Sequence, residues 1–383
     1  MIDTIRSLVP PFRLETYFSR WEFAARHHLT ASDAQTLTVA ELLAYGTEQD
    51  RAEFDELALG YTPTWGTARL REAIAATYDS CSSDDVLVFA GAEEAIFWSM
   101  QVLAGPGDHV IVTVPNYQAL ETIPLTTGAQ VTGIRLDEAS GWQLDLAEVR
   151  AALRPTTRVI AVNFPNNPTG AVPDQNTWRE LIQLCAEREI RLISDEVYRG
   201  LELDPTRTLP QAADLDERAL SINVMSKSYG MPGLRIGWVA CRDHAVLEAL
   251  ERHKHYTSIC SAGPSEFLAA MALGAADRIQ ARNRDLITEN LAHFDAFFAR
   301  RPDLFEWAHP DAGCVAFPRY LGPDGVETFC RQLVEEAGVL LLPASVYFSD
   351  LAQVPVDRFR IGVGRSNPGP ALEAFEHYLS TRE

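Results

Sequence analysis

Between about residues 60 and 240 the chain alternates short, almost wholly apolar runs with longer helical patterns. No other feature narrows the possible folds as far. Val86-Leu-Val-Phe-Ala90 precedes a helical stretch over Ala92–Leu103, which Gly105-Pro-Gly-Asp108 ends, and His109–Val114 follows. Ala129–Arg135, Arg158–Asn163, Ile190–Ser194, Leu220–Val224 and Arg235–Ala240 continue the series. Strands that are apolar on both faces and separated by helices make a mostly parallel sheet covered on both sides. The last run follows its neighbour after a short connection, which predicts an antiparallel strand at an edge. Long helical stretches fill 242–300. After them come strand patterns at Val315–Phe317, Val339–Leu342 and Phe359–Gly362, and a helix over Pro370–Leu379. The expected fold is therefore α/β, with a large domain over 56–300 and a smaller α/β domain over 301–383. Two or three amphipathic helices fall within the first 59 residues. Residues 1–55 are expected to form an entrance segment against the small domain and the active-site mouth.

Composition sets the class of protein. A chain of 383 residues exceeds one average domain. Its 46% apolar and 22% charged residues are the balance of an ordinary globular protein. A net charge of −20 argues against nucleic acid and anionic membranes as partners. Cys81, Cys185, Cys241, Cys260, Cys314 and Cys330 lack C-x-x-C spacing and neighbouring histidine pairs, so reduced thiols are expected rather than disulfides or a metal. His27-His28 and His253-x-His255 read as exposed or core histidines. Met1-Ile-Asp-Thr-Ile-Arg6 lacks a signal-peptide pattern, and no apolar run approaches the ~20 residues that span a bilayer. A cytoplasmic protein is expected.

Ligands of open α/β sheets bind at the carboxyl ends of the strands. Gly91-Ala92-Glu93-Glu94 opens a helix whose free N–H groups and positive dipole end suit a phosphate, although a plain strand–helix turn explains it equally well. Tyr117, in Pro115-Asn116-Tyr117, offers a face for a flat heteroaromatic ring, or simply packs in the core. Phe164-Pro-Asn-Asn167-Pro-Thr-Gly170 is a fixed turn that aims the Asn167 amide, which could donate to a ring phenolate oxygen. Asp195 ends a buried strand and needs a partner. A protonated pyridine nitrogen would serve, and a helix N-cap role is the competing explanation. Tyr198 could reach the same ring.

The Leu220–Val224 run leads into Ser226-Lys227-Ser228-Tyr229-Gly230 and then Pro232-Gly233-Leu234-Arg235. A lysine where a buried strand ends is partly desolvated, which lowers its pKa and makes its amine a nucleophile toward carbonyls. Arg235 can grip a phosphate through two parallel hydrogen bonds, and the glycines permit close approach. An aldehyde carrying a phosphate meets both demands, and pyridoxal 5′-phosphate is the common biological one. A solvated surface lysine would explain this segment alone. It does not explain five strand ends that each supply a different part for one ligand.

In this order the Asn-Pro-Thr-Gly, Asp-x-x-Tyr and Ser-Lys…Gly-x-Arg-x-Gly motifs closely resemble fold-type I pyridoxal-phosphate enzymes, specifically the class I/II aminotransferases. The resemblance covers roughly residues 55–380. It implies an aspartate-aminotransferase-like fold, with Lys227 as the Schiff-base lysine and proton-shuttling base and Asp195 on the pyridine nitrogen. Asn167 and Tyr198 would hold the phenolic oxygen and Tyr117 would stack. Gly91, Ala92, Glu93, Ser226 and Arg235 would surround the phosphate. Tyr61, in Tyr61-Thr-Pro-Thr-Trp-Gly66, resembles the tyrosine that members lend to the neighbouring subunit's phosphate, which implies a homodimer. Arg360, in Arg358-Phe-Arg-Ile-Gly-Val-Gly364, resembles the arginine that clamps the substrate α-carboxylate. One departure is Val224, where many members have a phosphate-binding hydroxyl; Ser226 or Ser228 could substitute.

Transamination between an L-α-amino acid and a 2-oxo acid is the outcome this resemblance implies by default. Glu22, beside Trp21 and Phe23, and Ser32-Asp33 are similar to positions in the arginine-acting branch of the family. Acidic side chains there would favour a cationic substrate, whereas a solvated helix face is the other reading of Glu22. The alternative expectation is an oxidase or hydroxylase, cyclase or lyase acting on arginine or another cationic amino acid. A cofactor-binding regulator without turnover fits poorly with the intact Lys227 and Arg360.

Overall fold

A computed structural model describes residues 9–382. Met1–Arg6, the stretch that bears on targeting, lies outside the described residues. Helix α1 (Arg13–Trp21) and the short helices Val39–Leu43 and Glu48–Asp55 account for the amphipathic patterns of the N-terminal segment. The helix predicted over Ala92–Leu103, here α2, has those bounds.

Seven strands form the central sheet: β1 (Val86–Phe89), β2 (His109–Val114), β3 (Gln130–Arg135), β4 (Thr157–Asn163), β5 (Arg191–Asp195), β6 (Leu220–Val224) and β7 (Gly237–Ala240). Their spatial order is β1-β7-β6-β5-β4-β2-β3. Strands β3, β2, β4, β5 and β6 pair in parallel, and β7 runs antiparallel to both β6 and β1. Every residue of β1, β2, β6 and β7 is buried, so these runs carry no polar face.

Two expectations need correction here. The antiparallel strand is interior, because β1 pairs with its far side and takes the edge. It also starts later than predicted. Arg235 sits at φ +53° after a single turn of 3-10 helix, and β7 begins only at Gly237. The strand can form there because residue 237 is glycine: a Cβ would lie 2.6 Å from the Ala92 backbone nitrogen.

Helices His244–Lys254, Gly263–Gly274 and Ala276–Phe298 follow. Beyond them, Phe359–Gly362 lies between Val315–Ala316 and Leu342–Pro343 in a three-stranded antiparallel sheet. The predicted Val339–Leu342 run is divided. Val339–Leu340 pairs instead with His27–His28, in parallel, which ties the N-terminal segment to the C-terminal part. Leu29 and Ala34 join Phe297, Phe305, Phe329 and Phe375 in one apolar cluster, anchoring the chain that runs from α1 across the ends of the central strands.

Candidate active site

The carboxyl ends of β1, β2, β4, β5 and β6 open into one cavity of about 800 Å³, closed by α1, Ala31–Asp33 and Arg360. That volume takes a cofactor together with a small substrate. The predicted Glu22, Ser32, Asp33, Ala92, Glu93, Tyr117, Asn167, Asp195, Tyr198, Ser226, Lys227, Arg235 and Arg360 all border it.

Lys227 follows β6 directly and is one of only two lysines in the chain. The other, Lys254, is buried away from the cavity and donates to the Thr64 carbonyl. Nζ of Lys227 donates to Oγ of Ser32 at 2.7 Å. Burial holds the Lys227 amine below the ordinary lysine range, with the nearby Asp33 charge opposing that shift. A less basic amine is more often unprotonated and so available to attack an aldehyde.

Asp195 ends β5 and pairs across the sheet with Asn163 at the end of β4. Its Oδ1 accepts from the Val197 N–H at 3.2 Å, and no ion pair reaches it among the described residues. Burial pushes its carboxyl up to about 7. A buried carboxylate aimed into a cavity without a cation is the complement of a protonated ring nitrogen.

The Asn167 amide is fixed from two sides. Its Oδ1 accepts from Arg360 Nη1 at 3.0 Å and from the Tyr347 hydroxyl at 3.1 Å, while its backbone N–H donates to Oδ1 of Asn163 at 2.7 Å. With the oxygen so committed, the NH₂ is the free end for a ring oxygen. Arg360 is buried and also donates to the Thr30 carbonyl at 2.8 Å through Nη2. Tyr198 lies beside this group and donates to the Ser32 carbonyl at 2.8 Å.

The phosphate end forms where Gly91, at φ +101°, leads into α2. The Arg235 guanidinium lies so close that a Cβ on Gly91 would be 2.5 Å from Nη2. Arg235 also reaches Oγ of Ser226 and the Ala90 carbonyl, each at 3.4 Å. The first-turn N–H groups of α2, this guanidinium and Ser226 therefore surround one anion seat. Of the two serines that could replace the missing hydroxyl at Val224, Ser226 borders the cavity and Ser228 is buried outside it. The Tyr117 ring packs on Phe12 at a centroid distance of 5.0 Å.

Other positions depart from expectation. Both Asp33 oxygens are bonded to Arg365, at 2.7 and 3.2 Å, an ion pair that the sequence did not suggest, and both residues line the cavity. His28 belongs neither to the surface nor to the core: it lines the cavity with Nε2 4.0 Å from Glu22. Burial holds its imidazole below the ordinary histidine range. Tyr61 is 96% exposed and does not border this cavity. Glu15, Arg365, Asn163 and Tyr347 complete the site without having been singled out in the sequence. Among the described residues no cluster suits a metal ion, and no helix is long and apolar enough to cross a membrane.

Such a site is shaped for a phosphorylated pyridine aldehyde. The buried Asp195 carboxylate, which no ion pair holds among the described residues, the free Asn167 NH₂ and the Gly91–Arg235 seat match three different parts of pyridoxal 5′-phosphate. The family model for aminotransferase class I and II matches residues 29–368, and the chain belongs to that family. It is similar to capreomycidine synthase of Streptomyces vinaceus, at 32% identity over 95% of this chain and 92% of that one. It is also similar to the arginine–pyruvate transaminase of Pseudomonas aeruginosa, at 30% identity over 78% of each. A solved pyridoxal-phosphate-dependent aminotransferase from Streptococcus suis superposes with a TM-score of 0.90 at 31% identity, over 98% of this chain and 99% of its own. The fold is aspartate-aminotransferase-like, the cofactor is pyridoxal 5′-phosphate, and the protein is a pyridoxal-phosphate-dependent transferase.

Proposed function

We propose that this enzyme transfers the amino group of an L-α-amino acid with a cationic side chain to a 2-oxo acid. One observation carries the reading: Lys227 and Arg360 face a single cavity whose α1 side bears Glu15 and Glu22. Arg360 would grip the α-carboxylate of donor and acceptor in turn. The bound cofactor supplies an electron sink that acidifies the substrate Cα–H. Lys227 would take that proton and return it, and its depressed basicity suits the task. Asp195 would hold the ring nitrogen protonated, and Asn167 and Tyr198 would hold its phenolic oxygen. Ser32 would keep the Lys227 amine in register. Gly91, Ala92, the Glu93 N–H, Ser226 and Arg235 would take the phosphate.

The active form would be a homodimer in which exposed Tyr61 reaches the partner's phosphate. Residues 56–300 would form the large domain and 301–383 the small one, with residues 1–55 covering the entrance. Glu22 supports the cationic donor: burial and the neighbouring Glu15 and Asp33 charges raise its pKa, which a bound cation would reverse.

A second reading is cyclisation of an arginine derivative whose Cβ carries a leaving group: that group departs and a guanidine nitrogen bonds to Cβ, so no oxidant is needed. The similarity to the solved pyridoxal-phosphate-dependent cyclase OrfR favours it, with a TM-score of 0.89 at 26% identity over the whole of both chains. Incubating the holoenzyme with each amino acid, with and without pyruvate, separates the two. Transamination consumes the oxo acid and yields an equal amount of the donor's 2-oxo product. Product formed without an acceptor and with the nitrogen count retained supports cyclisation instead. No reaction or binding with any cationic donor overturns both.

A further inference from the structure

On the side of the cavity formed by α1 and α2, two carboxylates, Glu15 and Glu93, have side chains that take no part in the proposed cofactor contacts or the α-carboxylate clamp. Glu93, in the first turn of α2, borders the cavity beside Tyr117 and Glu15. Its Oε2 is buried with no hydrogen-bond partner. The cations of the cavity wall are committed elsewhere. Arg365 holds Asp33, Arg360 holds Asn167, Arg235 reaches Ser226 and Lys227 holds Ser32. A buried carboxylate oxygen left without a partner is costly, and a ligand cation removes that cost. Burial pushes Glu93 up to about 7, and an arriving cation would favour its ionised form and bring that value down.

Resting on the amino-donor reading above, we propose that the Glu93 carboxylate receives the distal cationic group of the donor. The same residue turns away substrates with a second carboxylate. Its charge rejects glutarate-like ligands as it attracts guanidinium or ammonium, so specificity has an attractive and a repulsive part. The acceptor is then a 2-oxo acid with an uncharged side chain, of the pyruvate class.

The test is calorimetric titration of the pyridoxal-phosphate holoenzyme and its Glu93→Gln variant with three unreactive acids: 5-guanidinopentanoate, hexanoate and glutarate. The wild-type protein is expected to bind 5-guanidinopentanoate at least ~10-fold more tightly than hexanoate. The variant is expected to lose that preference, keep its hexanoate affinity and bind glutarate better. A guanidino preference that survives in Glu93→Gln overturns the Glu93 assignment and leaves the cationic donor standing. A wild-type protein without that preference overturns both. An equal weakening of all three acids in the variant means that Glu93 only shapes the cavity, which also overturns the assignment. Glu93→Ser repeats the measurement if the amide variant does not fold.

Discussion

Arg360 donates through Nη1 to Oδ1 of Asn167 at 3.0 Å, so the proposed substrate clamp and the proposed contact to the cofactor's oxygen form one hydrogen-bonded unit. Sequence separates them by a stretch that includes three strands of the central sheet, β5, β6 and β7. The Tyr347 hydroxyl closes the unit from a third direction. A change at the substrate end is therefore transmitted to the ring.

Arg360→Ala removes a buried, hydrogen-bonded charge, a loss worth about 2–5 kcal/mol in comparable sites. KM for both the amino donor and the oxo acid should rise by at least ~30-fold. The Asn167 amide also loses a tether, so the pH at which the holoenzyme's cofactor absorption changes should move. Steady-state kinetics and a spectral pH titration check the two effects. A raised KM with an unmoved spectrum would uncouple Asn167 from the arginine.

The buried acid of the ring contact predicts an unusual pH dependence for the apoprotein. Burial raises Asp195 and Glu196 to about 7, whereas an unfolded carboxylate titrates near ~4. Between those values the native state binds more protons than the unfolded one, so stability falls as pH rises. The cofactor-free chain should melt lower at pH ~8 than at pH ~6. Asp195→Asn removes one of the buried charges and should raise the apoprotein's melting temperature at the higher pH by several degrees. The same change should cut turnover by at least ~100-fold. Calorimetric scans of apo wild type and variant across this range decide it.

Tyr61, exposed at 96%, is proposed to act only across a dimer. Tyr61→Phe should weaken cofactor affinity by roughly 10-fold, the worth of one hydrogen bond to a charged group. Mixed dimers with one Tyr61→Phe chain and one Lys227→Ala chain give the sharper reading. Activity depends on which subunit's tyrosine faces the intact lysine, so a tyrosine acting within its own chain would give the opposite pattern. Size-exclusion chromatography with light scattering checks the dimer itself.

Much of the site was legible because its parts sit where apolar runs stop. Gly91, Tyr117, Asn167, Asp195 and Lys227 each follow a strand, and a strand's end is a local property of sequence. Position within the sheet was not legible: nothing in Gly237–Ala240 says that β1 will close on its far side. Arg235 fell outside its predicted strand because it ends the Pro232–Leu234 turn in left-handed backbone, at φ +53°, and the strand begins only at Gly237. Long-range pairing also hid the fate of Asp33. Its partner Arg365 lies near the other end of the chain, so the ion pair that holds this cavity-lining carboxylate could not be read locally. His28 and Glu93 were underestimated for a similar reason: a histidine beside a short strand and a glutamate in a helical first turn look ordinary until a cavity opens beside them.

The most direct test uses the scarcity of lysines. The reconstituted holoenzyme is reduced with borohydride, and the chain is then mapped by peptide mass spectrometry. One pyridoxyl group per chain, on Lys227 and absent from Lys227→Ala, is the result expected. A label on Lys254, the only other lysine, or one that persists when Lys227 is replaced, would contradict the account.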